Sequence, residues 1–248
     1  MAISTDATET KSEIISYQQL RTFIGLIGFF LPFALVLGCY MHGDGNYSWQ
    51  HSISHYYYSK MHIVFVCALC MLGGFLITYK GRKNDHWESR VSNIAGYCAL
   101  GAASLPTQFS GFRVNANSSN QYLQLCKEVN GFWNSVHFGL AGLLFTCFVI
   151  FCLRFFQKPD GDYNTPEEKE KFSRRKRLYK ICGWGIIVSM VCIGFFAFTM
   201  PARQGLFTFT TFYFETASLL FFGTAWLVKG SLFWKRYPVL KWLIKPLR

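Results

Sequence analysis

Charge is scarce in this chain. Asp, Glu, Lys and Arg supply 15% of its 248 residues, where a soluble protein carries about 25%. What charge there is stays out of six long stretches. Residues 22–43, 61–79, 91–112, 130–153 and 181–202 hold no Lys, Arg, Asp or Glu, and 204–228 holds one, Glu215. Each run is long enough to cross a hydrocarbon core, which takes roughly 20 residues of helix. That many runs exceed what a soluble core holds, so an ordinary soluble domain is excluded. The first run lacks the small-residue cleavage site of a signal peptide, and five more runs follow it. Internal repeats, a soluble domain, and any selectivity-filter or charge-ring pattern of a channel are also missing.

The expected fold is all-α, a polytopic membrane helix bundle of six spans. A polar tail, 1–19, precedes the membrane domain, 20–230, and a basic amphipathic tail, 231–248, follows it. Basic residues orient the bundle. Twenty-one of the 25 Lys and Arg fall on one side of the six runs, and only Lys60, Arg113, Lys127 and Arg203 fall on the other. Both termini are therefore expected in the cytoplasm. The net charge of +12 reflects that topology and does not point to a nucleic-acid partner. Basic runs such as Ser173–Arg177 suit anionic headgroups. In the large loop before them, Thr165 reads as an N-cap, with Pro166 at the first helical position and Glu167 and Glu168 in the first turn. The helix is expected to run straight on into the fifth span.

Most of the nine cysteines lie inside runs and read as small buried hydrophobes, the pair Cys67 and Cys70 included. Cys39 and Cys126 lie outside the cytoplasm, where an oxidising compartment would permit a disulfide between them.

Polar chemistry gathers at one end of the runs. The stretch from Ser52 to His62 packs Ser52, Ser54, His55, Tyr56, Tyr57, Tyr58 and His62 just ahead of the second run. An aromatic belt at headgroup level accounts for tyrosines there, but not for Ser52, Ser54 and His55. Thr107 and His137 enter from the same side. In the sixth run, Thr208, Thr211, Glu215 and Ser218 share one helix face, with Glu215 more than two helical turns below the outer end. An ionisable group at that depth normally faces a bundle interior or a watery cavity. In the fourth run, Ser135, Gly139, Gly142 and Thr146 form a small-residue stripe suited to close helix packing. The cytoplasmic half of the runs holds no comparable polar cluster. The expected ligand pocket is therefore outward-facing and lined by Ser52, Ser54, His55, Tyr56, Tyr57, Thr107, His137 and Glu215.

The stretches "SISHYYYSKMHIVFVCALCMLGGFLITYKG", "NIAGYCALGAASLPT", "VHFGLAGLLF" and "FYFETASLLFFGTAWLVKG" resemble an uncharacterised family of bacterial six-helix inner-membrane proteins. That family has a Ser-Ile-Ser-x-Tyr-Tyr motif before the second span. The likeness covers roughly residues 20–232 and implies a multi-pass protein of the inner (plasma) membrane. It implies no activity. The chain departs from the pattern at His62 and Ile63, which stand where the family has Arg-Asp, and at Leu105 before Pro106.

Three functions fit these residues. The first is binding of a lipid or small polar ligand in the outward pocket, with membrane lipids and further copies of the chain as partners. The second is a metal-dependent intramembrane hydrolase acting on lipid at the outer leaflet, zinc being held by a set drawn from His51, His55, His137 and Glu215. The ceramidase and adiponectin-receptor superfamily builds such a site from His, Ser and Asp, but with seven helices. The third is a channel or transporter component.

Overall fold

The structure, a computed structural model, describes residues 3–42, 49–82, 86–105, 107, 131–159, 164–199 and 209–230, with side chains from residue 19 onward. Among these residues all regular structure is helical. Six α-helices follow one another: α1 (Ile3–Met41), α2 (His62–Thr78), α3 (His86–Ser104), α4 (Gly131–Ile150), α5 (Pro166–Thr199) and α6 (Thr210–Lys229). A short 3-10 helix, Ile53–Tyr58, precedes α2, and a π-helical turn, Phe151–Phe155, extends α4. Each α-helix packs on its neighbours in the chain, and α6 closes back onto α1. The helices thus form a ring in chain order.

By length and composition, α1 from Gln19, α4 with its π turn, and α5 can each cross a membrane. α2 is apolar but shorter, at 17 residues. α5 is turned inside out relative to a soluble helix. Ile181, Trp184, Val188, Val191, Phe195 and Phe198 are all more than half exposed, while Cys182, Gly183 and Ser189 are buried. So large an apolar stripe marks a surface made for something other than water; hydrocarbon is the solvent that suits it.

Two local expectations hold. Thr165 caps α5: its Oγ accepts from the Glu168 N–H (3.2 Å), and the Glu168 carboxylate accepts from the Thr165 N–H (3.2 Å). This reciprocal pair satisfies donors that an N-terminus otherwise leaves orphaned. α5 then runs unbroken to Thr199.

Other expectations need correction. α1 begins at Ile3, so the polar stretch ahead of the first run is helical too. Cys67 and Cys70 are exposed, because spacing three apart puts both on the outer face of α2. The stripe on α4 is not a packing seam. Among the described residues no atom lies within 4 Å of a Cβ placed at Gly139 or Gly142, and the hydroxyls of Ser135 and Thr146 turn back onto carbonyls of their own helix. Close backbone contact occurs elsewhere, at Gly25 with Gly223 and at Gly73 with Gly96. The third expected run beyond residue 107, Cys126, Thr208 and the tail 231–248 lie outside the described residues.

The centre of the ring is aromatic. Phe148 of α4 stacks on Phe222 of α6, with centroids 3.6 Å apart. The π turn, marked by the Phe156 N–H donating to the Phe151 carbonyl (2.9 Å), widens one turn of α4. Phe151 and Phe156 both meet Trp226, at 5.2 Å each.

Candidate functional site

The stretch ahead of α2 is organised by its two outer serines. Ser52 is the N-cap of the 3-10 helix, and its hydroxyl accepts from the His55 N–H at 3.3 Å. Ser59 closes the other end, its hydroxyl donating to the Tyr56 carbonyl at 2.8 Å. Ser52 is buried, and its hydroxyl serves the backbone of the short helix. The three tyrosines, in consecutive positions of a tight helix, point three ways. Tyr56 is fully buried, packed on Phe212. Burial raises its phenol well above the usual range, and nearby Cys39 adds to the effect. Tyr57 sets its ring edge-on to His62 at 4.3 Å. Tyr58 donates its hydroxyl proton to the Thr107 carbonyl at 2.6 Å. An aromatic belt would leave all three at the surface.

Between the serines the short helix ties three long ones together. His51 accepts from the Phe212 N–H at the start of α6 (3.0 Å). The Ile53 N–H donates to Glu215 Oε2 at 2.6 Å. Glu215 therefore points into the bundle, as its helical phase requires, and a backbone amide meets it there. The Ser54 hydroxyl lies 2.9 Å from His137 Nε2 on α4, and His137 Nδ1 lies 2.7 Å from the Leu105 carbonyl past α3. A carbonyl only accepts, so Nδ1 carries the hydrogen. In the neutral ring Nε2 then accepts the Ser54 proton. His137 is 2% exposed, so this orientation is held by packing as well as by hydrogen bonds.

Ile53 and Ser54, adjacent in the chain, thus bring Glu215 and His137 to one place. Thr107 joins them through Tyr58. Its side chain is 1% exposed, and its hydroxyl has no hydrogen-bond partner among the described residues. His55 and Tyr57 are half-buried beside this group.

The proposed metal ligands do not assemble. Among the described residues no three His, Cys, Asp or Glu are placed to hold an ion. Both ring nitrogens of His137 are engaged with protein, and Glu215 is occupied by an amide. His51 and His55 do approach, ring centroids 6.1 Å apart, but His51 stacks on Phe209. The donor set does not fit zinc. Cys39 is buried at the end of α1.

The opposite end of the ring carries a polar cluster that hydropathy did not reveal. Glu88, in the first turn of α3, is 1% exposed. Its Oε1 accepts from the Tyr79 hydroxyl (2.8 Å), which also accepts from Arg21 (3.2 Å). Its Oε2 faces the Arg82 guanidinium at 3.5 Å. The Arg21 guanidinium also sits 5.7 Å from the Tyr79 ring centroid, and Lys229 lies over Phe156 at 5.4 Å. The expectation that this half is bare of polar clusters was wrong, because Arg21, Glu88 and Lys229 stand at the margins of the runs, where a hydropathy window counts them as loop. The available signal was Glu88 itself, an acid three residues before an uncharged run.

No family model matches this chain, and no curated protein or solved structure matches it either.

Proposed function

We propose that this chain is a six-span protein of the inner (plasma) membrane, related to the bacterial family it resembles. In this reading both termini are cytoplasmic, and the 3-10 helix with His137, Thr107 and Glu215 forms an outward-facing site for a lipid or small polar ligand. The ring of six helices in chain order supports an even number of crossings, and the 21-to-four division of basic residues supports the orientation. Reporter fusions after Asp85 and Gly161 are expected to read as cytoplasmic, and one after Asn117 as external. An external signal at Gly161 would overturn the topology.

The observation that carries the site is the Ser54–His137 hydrogen bond beside the Thr107 hydroxyl, which is buried and has no hydrogen-bond partner among the described residues. Polar groups buried in a bundle are costly without partners, and here they converge from α3, α4 and α6, where ligand sites of helix bundles form. Ser54→Ala and Glu215→Gln should fold, as judged by monodisperse elution, yet retain less of the lipid carried through purification. Losing one hydrogen bond to the ligand would cost about 1–3 kcal/mol, roughly 5- to 150-fold in affinity. Wild-type lipid content in both variants, counted by native mass spectrometry, would remove the binding reading.

The same hydrogen bond supports a second reading, hydrolysis without a metal. Ser54 would be the nucleophile, His137 Nε2 its base, and the Leu105 carbonyl the group that orients the ring. A serine-reactive fluorophosphonate should then label Ser54 and fail to label the Ser54→Ala and His137→Ala variants.

A further inference from the structure

We propose that the groove between α5 and α6 binds one anionic phospholipid, an acyl chain lying in the groove and the phosphate resting on Lys180 and Arg177. The inference rests on α5 crossing a membrane and is independent of the site around His137.

The groove has a volume of about 660 Å³ and is lined by Lys180, Trp184, Gly185 and Val188 of α5 with Phe214 and Phe221 of α6. That size is within the range of small-ligand sites, roughly 300–1,000 Å³. Its floor exists because Gly185 has no side chain: the Phe221 ring lies directly against it, where a Cβ would collide. Its wall is the exposed stripe of α5, with Ile181 64%, Trp184 60% and Val188 57% exposed. On a helix apolar enough to cross a membrane, such a groove is filled by hydrocarbon.

Charge selects the headgroup. Lys180 is the last charged residue before the apolar part of α5, and Arg177 lies one turn earlier on the same face. Trp184 sits one turn further in, at the depth where interfacial tryptophans lie. Earlier in α5 two of the cations are paired on the helix itself, Lys171 with Glu167 and Arg174 with Glu170. From residue 171 to residue 199 there is no acidic residue. Lys180 and Arg177 are exposed and form no ion pair among the described residues. A lysine stem can follow the apolar wall while its ammonium stays at the phosphate level. The groove and the uncompensated cations meet at one point, which fits a ligand with a long chain and an anionic head.

The test uses the full chain in phosphatidylcholine nanodiscs containing a minor fraction of a lipid brominated in its acyl chain, as phosphatidylglycerol or as phosphatidylcholine. Quenching at Trp184 is the difference between the wild type and Trp184→Phe. Brominated phosphatidylglycerol should quench Trp184 at a roughly 30-fold lower lipid fraction than brominated phosphatidylcholine, the factor expected from two basic residues at an anionic surface. The double variant Lys180→Gln/Arg177→Gln should lose the preference, and Lys180→Arg should keep it. Circular dichroism establishes that the helices persist in each. Equal quenching by the two lipids in the wild type, or an undiminished preference in the double variant, would overturn the proposal. So would a Trp184 shielded from both lipids, the result expected if a second copy of the chain covers the groove. If no tryptophan of the protein is quenched by either lipid, the membrane reading itself fails.

Discussion

Glu88→Ala is expected to lower the melting temperature of the detergent-solubilised protein by on the order of 10 °C, from a loss of about 3–5 kcal/mol. The carboxylate is 1% exposed, accepts from the Tyr79 hydroxyl and faces the Arg82 guanidinium, and Tyr79 in turn accepts from Arg21. Removing it takes one acceptor from the Tyr79 hydroxyl and one facing negative charge from Arg82. The cost is that of desolvated charge, and it exceeds the worth of any one hydrogen bond. The chain cannot relax to fill the gap easily. Gly81 runs so close that a Cβ there would fall 2.6 Å from Glu88 Cβ, which fixes the loop over the carboxylate. Glu88→Gln keeps an acceptor for Tyr79 while losing the charge, so it should fall between the wild type and alanine. A melting temperature for Glu88→Ala within experimental error of the wild type would show that the cluster does not hold α1, α2 and α3 together.

Gly223→Val should be as damaging for a different reason. A Cβ at Gly223 would lie 2.6 Å from the backbone nitrogen of Phe29 and 2.8 Å from the carbonyl oxygen of Gly25. The reciprocal contact is as tight, with a Cβ at Gly25 falling 2.7 Å from the Leu227 nitrogen. These are backbone atoms and have no rotamer to move into, so α1 and α6 would have to separate. Overpacking costs typically about 1–3 kcal/mol and more where nothing can yield. The contact also closes the ring, and the same helix carries Glu215, so binding at the His137 end should suffer along with stability. Gly194→Val is the control, since a Cβ there meets nothing within 4 Å among the described residues. It should melt with the wild type. Equal thermal shifts for the two valine variants would mean that helix propensity, and not backbone contact, sets the effect.

Helix phase was legible because it is local. Thr165 announced the start of α5, and the spacing of Thr211, Glu215 and Ser218 gave the inward direction of Glu215. The small-residue stripe of α4 obeyed the same spacing rule and still turned out to be surface. Periodicity says which residues share a face and not which face is covered. Ser52 shows the same limit of local pattern. A serine ahead of a polar run looks like ligand chemistry, and only the 3-10 helix that it caps shows its hydroxyl committed to the backbone.

By itself, the sequence determined that the described chain is helical, that several of its helices are apolar enough for a membrane, and where charge may and may not lie along them. These follow from short-range physics: hydrogen bonds within one helix and the cost of placing charge in hydrocarbon. Only the tertiary structure decided that Ser54 meets His137, that the Ile53 amide meets Glu215, and that Arg21, Tyr79 and Glu88 form one buried cluster. Those pairs are 83, 162 and as many as 58 residues apart in the chain. Their contact depends on the rotation and register of whole helices, which close backbone approaches such as Gly25 against Gly223 set and which no local pattern records.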